Sequence, residues 1–306
     1  MSIIYPQAPK KGDTVAIVAN SSFIPENRVD DCVKAVENLG FKAKVFENVA
    51  TNCGGFMAGS PELRAKLFNE AFADPEIKCI WSIRGGDGGT QILDKIDWDL
   101  VKKNPKPFIG YSDVTCFNVM LNQYCNQVAL HGPMVYSNVV DDFDDETRES
   151  FFQALNATES YEFKNPKGEE IKVLKEGCAS GQLVGGNLCL MAACLKTPYE
   201  IDTDGKILFI EEVGGDVGGF EREFMNLKLA GKLENIKALV LGQFTRISND
   251  KAPEYSCVDA IADDIKDMDI PVIYNVQSGH GNPMMTIPLG ANCTIDTKNR
   301  SMVFNI

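Results

Sequence analysis

The sequence predicts an α/β protein. A doubly wound parallel sheet is expected over residues 1–155, a polar linker over 156–170 and a smaller, β-rich, barrel-like α+β domain over 171–306. Three observations carry this reading. The first half alternates short apolar runs with segments of helical period, as successive βαβ units do. The turns at Ser21, Gly85 and Ser112 each follow such a run, at the strand ends where an open parallel sheet gathers its site. The second half holds short strands at irregular spacing, with helices between only some of them.

Asp13-Thr-Val-Ala-Ile-Val-Ala-Asn20 is apolar on both faces, as a central parallel strand must be. Val29, Cys32, Val33, Val36 and Leu39 recur at helical spacing, and Gly40 stops that helix before a strand at 41–46. Ser60-Pro61 opens a helix over 61–73, and 78–83 is the next buried strand. Arg84-Gly-Gly-Asp-Gly-Gly89 turns into a helix expected at 90–96. An apolar strand then ends in the sharp turn that carries Ser112, followed by a helix over 113–124, a short strand at 128–130 and His131-Gly-Pro133. An acidic stretch from Val139 starts a helix that ends at Leu155.

In the second half, strands are expected at 171–174, 182–184, 206–211, 238–244, 272–274 and 292–296. Helices are expected at 188–195 after Gly185-Gly-Asn187, at 220–229 before Gly231, and at 256–266.

Composition excludes several classes. With 306 residues, 44% hydrophobic and 24% charged, the chain is long enough for two ordinary globular domains. A formal net charge of −13 disfavours nucleic acid and anionic membranes, since both call for a basic footprint. No run approaches the roughly 20 apolar residues of a spanning helix, and the first residues lack the apolar run of a signal peptide, so a cytoplasmic protein is expected. Ten cysteines fall singly, with no Cys-x-x-Cys and two histidines as possible co-ligands, which predicts reduced thiols and no metal site.

The candidate chemistry centres on Pro107-Phe-Ile-Gly-Tyr-Ser-Asp-Val-Thr-Cys116. A sharp strand-to-helix turn exposes a serine hydroxyl at its apex and leaves the following amides open to an oxyanion. Ser112-Asp113 also suits a plain helix cap with an acidic first turn. The glycine-rich run at 85–89 meets neither the Walker nor the dinucleotide pattern, but it suits a place where backbone amides approach a ligand.

A serine nucleophile needs a base. Either His131 or His280 serves by type, and the loop position after the strand at 271–275 favours His280. The base in turn needs a carboxylate to hold its tautomer. Glu211-Glu212 follows the apolar run Ile207-Leu-Phe-Ile210; only one of the two can face a cleft, and the pattern alone does not choose between them.

These motifs, taken in order, resemble the LD-carboxypeptidase family of serine peptidases, which includes the muramoyl-tetrapeptide carboxypeptidases and the microcin C immunity peptidases. The resemblance runs end to end through Gly12-Asp-Thr-Val-Ala-Ile-Val-Ala19, Arg84-Gly-Gly86, Pro105-Lys-Pro-Phe-Ile-Gly-Tyr-Ser-Asp113, His131-Gly-Pro133, Gly185-Gly-Asn187, Ile207-Leu-Phe-Ile-Glu211, His280-Gly281 and Ile287-Pro-Leu-Gly290. It implies Ser112 as nucleophile, His280 as base, Glu211 as its orienting carboxylate, and the amides of Gly86 and Asp113 as the oxyanion hole. It also implies a cleft between two domains, a homodimer, and an acyl-enzyme route that uses no metal and no organic cofactor. Two departures border the implied cleft: Asp87 stands where the family has an aromatic residue, and Val213-Gly-Gly-Asp-Val-Gly-Gly219 where it has a Pro-Tyr pair.

The expected activity is removal of the terminal D-alanine from murein tetrapeptides during cell-wall recycling. The alternatives are an immunity-type peptidase that cleaves an acyl-nucleotide amide and a non-catalytic protein that binds muropeptides.

Overall fold

The structure is a computed structural model that describes residues 2–306. The chain forms two compact units, Met1–Asn156 with Thr286–Gly290, and Ala157–Met285 with Ala291–Ile306.

In the first unit, β1 (Thr14–Val18), α1 (Val29–Asn38) and β2 (Lys42–Val45) form the opening βαβ turn. A small hairpin of β3 (Asn52–Cys53) and β4 (Met57–Ala58) precedes α2 (Pro61–Ala73) and β5 (Ile77–Ser82). Then come α3 (Trp98–Lys103), β6 (Phe108–Ile109), α4 (Thr115–Gln123), β7 (Ala129–His131) and α5 (Asp145–Leu155). The helix expected at 90–96 is only a 3-10 turn over Gly89–Ile92. The helix forms later, as α3, where the Asp97 carboxylate accepts from Leu100 N at 2.9 Å and caps it.

The second unit runs through β8 (Tyr161–Glu162), β9 (Lys172–Lys175), β10 (Cys178–Asn187), α6 (Leu188–Ala193), β11 (Ile207–Val213), α7 (Val217–Leu229), β12 (Ala238–Thr245), α8 (Cys257–Asp264) and β13 (Val272–Tyr274). The chain then lends β14 (Ile287–Leu289) to the first unit and finishes in the second with β15 (Asn292–Asp296) and β16 (Ser301–Asn305).

The first sheet has the order β14-β7-β6-β5-β1-β2, parallel except for β14. β5, in the middle, is buried at every position but Lys78, whereas β2 at the edge alternates exposed and half-buried residues. The chain winds to β2 on one side of β1 and to β5 on the other, so the order reverses between β1 and β5. The turns that leave these two strands therefore flank the crevice where such sheets place ligands. In the core of this unit, Phe68 and Phe72 of α2 pack with Phe108 and Phe117, the Phe68 and Phe117 rings stacking at 5.3 Å.

The second sheet has the order β8-β16-β15-β10-β11-β12-β13-β9: a parallel centre of β10 to β13 with antiparallel flanks. Its centre depends on Gly185, at φ +136°, where a Cβ would lie 1.9 Å from the Phe209 carbonyl oxygen. Only glycine lets β10 run this close to β11. Among the described residues no helix is long and apolar enough to cross a membrane.

Candidate active site

Ser112 lies where β6 gives way to helix. Its φ is +64°, in the left-handed region that residues with a Cβ rarely occupy, and it starts a 3-10 turn over Ser112–Val114 that runs straight into α4. The helix expected from Asp113 is thus two pieces, the tight one carrying the serine.

Three turns meet around this residue. At Gly85 a Cβ would stand 2.9 Å from Ser112 Cβ and 3.1 Å from its Oγ, and at Gly86, with φ +111°, one would stand 2.2 Å from Ser22 Oγ. Bare backbone at 85–86 is what allows the glycine-rich turn to touch both serines. Hydrogen bonds hold it there: Gly89 N donates to Asp113 Oδ2 at 2.7 Å, Asp87 N to Ser22 Oγ at 3.0 Å, and Ser22 N to the Gly85 carbonyl at 3.3 Å. Burial pushes the Asp113 carboxyl up to about 6, against the pull of the Gly89 N–H.

Arg64 of α2 is the residue that sequence reasoning missed. It is 1% exposed, and its guanidinium donates to the carbonyls of Asn20 at 3.1 Å and Gly88 at 2.6 Å and to Gln91 Oε1 at 2.8 Å. One planar fork thus holds the turns after β1 and β5. The signal was present: Arg64 shares the buried stripe of α2 with Phe68, Ala71 and Phe72, a charge where an apolar residue is expected. His131 is fully buried on β7, its ring 5.7 Å from that of Tyr111.

In the second unit, both Glu211 and Glu212 at the end of β11 are buried. The strand's alternation separates them, and the β11–β12 register shifts between Ile210 and Glu212. Glu211 Oε2 lies 2.7 Å from His280 Nδ1. Glu212 turns to α6 instead, accepting from Asn187 Nδ2 at 2.9 Å, Cys189 N at 2.7 Å and Val213 N at 2.8 Å. Burial raises the Glu212 carboxyl while these three donors oppose the shift.

The loop that carries His280 is a tied strap. Val276 N donates to the Leu241 carbonyl at 3.1 Å, the Ser278 carbonyl accepts from Gln243 N at 2.9 Å, and Gly281 N donates to Gln243 Oε1 at 2.7 Å. The His280 side chain is 10% exposed and that of Glu211 fully buried. A carboxylate accepts only, so the Glu211 contact keeps the hydrogen on Nδ1 and makes Nε2 the basic nitrogen of the ring. An imidazole held this way is equipped as a general base. Among the described residues no group of three or more His, Cys, Asp or Glu is placed to hold a metal ion.

The LD-carboxypeptidase N-terminal domain family matches residues 15–132, and the LD-carboxypeptidase C-terminal domain family matches residues 180–295. This chain belongs to the LD-carboxypeptidase family. A protein of Bacillus subtilis (strain 168) described as a probable murein peptide carboxypeptidase is 33% identical over 97% of this chain and 93% of its own length. The microcin C7 self-immunity protein MccF of Escherichia coli is 28% identical over 95% of this chain and 92% of its own. The solved muramoyltetrapeptide carboxypeptidase of Oxalobacter formigenes superposes with a TM-score of 0.84 at 26% identity, covering 96% of this chain and 98% of that one. The family is described as one of carboxypeptidases, and the two-unit α/β architecture fits its solved member.

Proposed function

We propose that this family member is a cytoplasmic, homodimeric serine carboxypeptidase that removes the terminal D-alanine from murein tetrapeptides in cell-wall recycling. Ser112 is the nucleophile, His280 the base, Glu211 the carboxylate that orients it, and the amides of Gly86 and Asp113 receive the oxyanion. The observation that carries the reading is the 2.7 Å Glu211–His280 contact. It is supported by a serine held at φ +64° in a strand-to-helix turn and by relatives described as murein peptide and muramoyltetrapeptide carboxypeptidases.

In this mechanism His280 Nε2 takes the Ser112 hydroxyl proton as Oγ attacks the carbonyl between the L-centre of the third residue and D-alanine. The oxyanion is met by amides that are already fixed, so little reorganisation is needed as charge develops. The imidazolium, stabilised by Glu211, returns the proton to the leaving D-alanine amine. Water activated by the same nitrogen then releases the acyl group and restores Ser112.

The test is mass spectrometry of products after incubating wild-type, Ser112→Ala and His280→Ala proteins with a disaccharide tetrapeptide. Loss of one D-alanine with wild type alone is expected. If wild type leaves the tetrapeptide whole, the murein assignment fails, and acyl-sulfamoyl nucleotides are the next substrates to try.

A further inference from the structure

The second unit contains a pocket of ≈ 470 Å³ at the ends of β12 and β13, distinct from the Glu211–His280 contact but joined to it by hydrogen bonds. Its wall includes Gln243, Thr245, Asn249, Tyr255, Tyr274 and Gln277. In a chain that is 24% charged, none of the residues lining it among those described is Asp, Glu, Lys or Arg. A pocket built to take a carboxylate, a phosphate or an amine would carry a countercharge. This one offers amides, hydroxyls and aromatic rings beside the apolar side chains of Val217, Ile247, Pro253 and Val258 and the Cys257 thiol.

Three of its amides form a ladder with a single direction. Asn275 Nδ2 donates to Glu169 Oε2 at 3.0 Å and to the Glu170 carbonyl at 2.9 Å. Asn275 Oδ1 accepts from Gln277 Nε2 at 2.7 Å, Gln277 Oε1 from Gln243 Nε2 at 2.9 Å, and Gln243 Oε1 from Gly281 N at 2.7 Å. Each amide is thereby fixed in orientation. At Gln277 the ladder uses one of two N–H groups and one of two lone pairs, leaving one donor and one acceptor for a ligand. The last rung is the residue after His280.

We propose that this pocket binds a neutral, hydroxyl-rich sugar ring. A flat nucleobase has two apolar faces and keeps its polar atoms in the plane of its edges, so it calls for a slot. A sugar shows hydroxyls around its whole rim and one apolar face. That matches polar groups arriving from the end of β12, the segment after it and the end of β13, with Tyr255 and Tyr274 in the wall. The sugar has two sources, the saccharide part of a peptide substrate or a free saccharide, and the second half of the test below separates them.

Isothermal titration of the full-length protein with N,N′-diacetylchitobiose, a neutral amino-sugar disaccharide, reads binding without turnover, so it is independent of the carboxypeptidase reading. Saturable binding is expected, weakened about tenfold by Asn249→Ala and by Tyr274→Ala, each with an unchanged melting temperature. Asn249→Ala is the milder arm should Tyr274→Ala fail to fold. No saturable binding by wild type, undiminished binding by folded variants, or tighter binding of adenosine that the disaccharide displaces would each overturn the proposal.

The second half rests on the proposed activity and compares kcat/KM for tetrapeptide with and without its disaccharide. A wild-type preference that both variants lose, with the sugar-free rate unchanged, assigns the pocket to the substrate's own sugar. Equal rates beside retained disaccharide binding assign it to a free saccharide.

Discussion

Gly89 N donates to the Asp113 carboxylate at 2.7 Å, so the glycine-rich turn is fastened to the residue that follows the candidate nucleophile. That carboxyl is buried and titrates at about 6. An acid whose native pKa lies above its ordinary value holds its proton more tightly when folded. Its contribution to stability is complete below the ordinary range near 3.8 and is lost as pH rises through about 6. Asp113→Asn keeps an acceptor for Gly89 and removes the titration. The variant should gain up to about 2–3 kcal/mol relative to wild type between about pH 4 and pH 7. Urea unfolding of both proteins across that range checks this, and parallel curves would show that burial does not govern Asp113.

The two adjacent glutamates should part in their effects. Glu211→Gln is expected to cut kcat by ~10³–10⁴ with little change in KM or melting temperature, because the imidazole loses the carboxylate that fixes its tautomer. Glu212→Gln should lower stability by ~1–3 kcal/mol, since an amide cannot accept from all three donors, and leave kcat within about threefold. Steady-state kinetics beside thermal melts decide, and the reverse pattern would reassign the base's partner.

Arg64→Lys retains the charge and loses the planar fork that reaches Asn20, Gly88 and Gln91 at once. A tenfold to hundredfold fall in kcat at near-constant KM is expected, on the scale of a misplaced reactive group. A change confined to melting temperature would mark Arg64 as purely structural.

Gly185→Ala should cost about 3 kcal/mol or more, or abolish soluble expression, because its methyl would enter the Phe209 carbonyl. A variant that melts within a few degrees of wild type would mean β10 and β11 can separate without loss.

Much of this molecule was legible before folding because its signals are periodic. Two-face apolar runs mark β1 and β5, Ser60-Pro61 marks the start of α2, and positions 272–274 and 292–296 coincide with β13 and β15. What escaped depends on partners distant in sequence. The 90–96 segment has helical spacing, yet its first residues turn to serve the loop against Ser112, and the helix waits for the Asp97 cap. β14 contains Pro288, which argues against a central strand and suits the sheet edge it occupies. β16 has no expected counterpart, although Met302 and Phe304 alternate with half-buried neighbours.

At the site, residue types and order were readable, while the division of labour between Glu211 and Glu212 was not. It rests on which face of β11 meets His280 and which meets α6, and a strand's face is set by its register with β12.

The excursion of β14 into the first unit bears on synthesis. β14 pairs with β7 through Ile287↔His131 and Leu289↔Ala129, so the edge of the first sheet is built from residues some 160 positions further along the chain. A nascent chain that has left the ribosome as far as Asn156 carries four parallel strand pairings and an open edge at β7. That edge stays uncapped until nearly the whole second unit has been made. The two halves are therefore not interchangeable modules: a gene cut at the boundary yields an N-terminal product that lacks its own last strand.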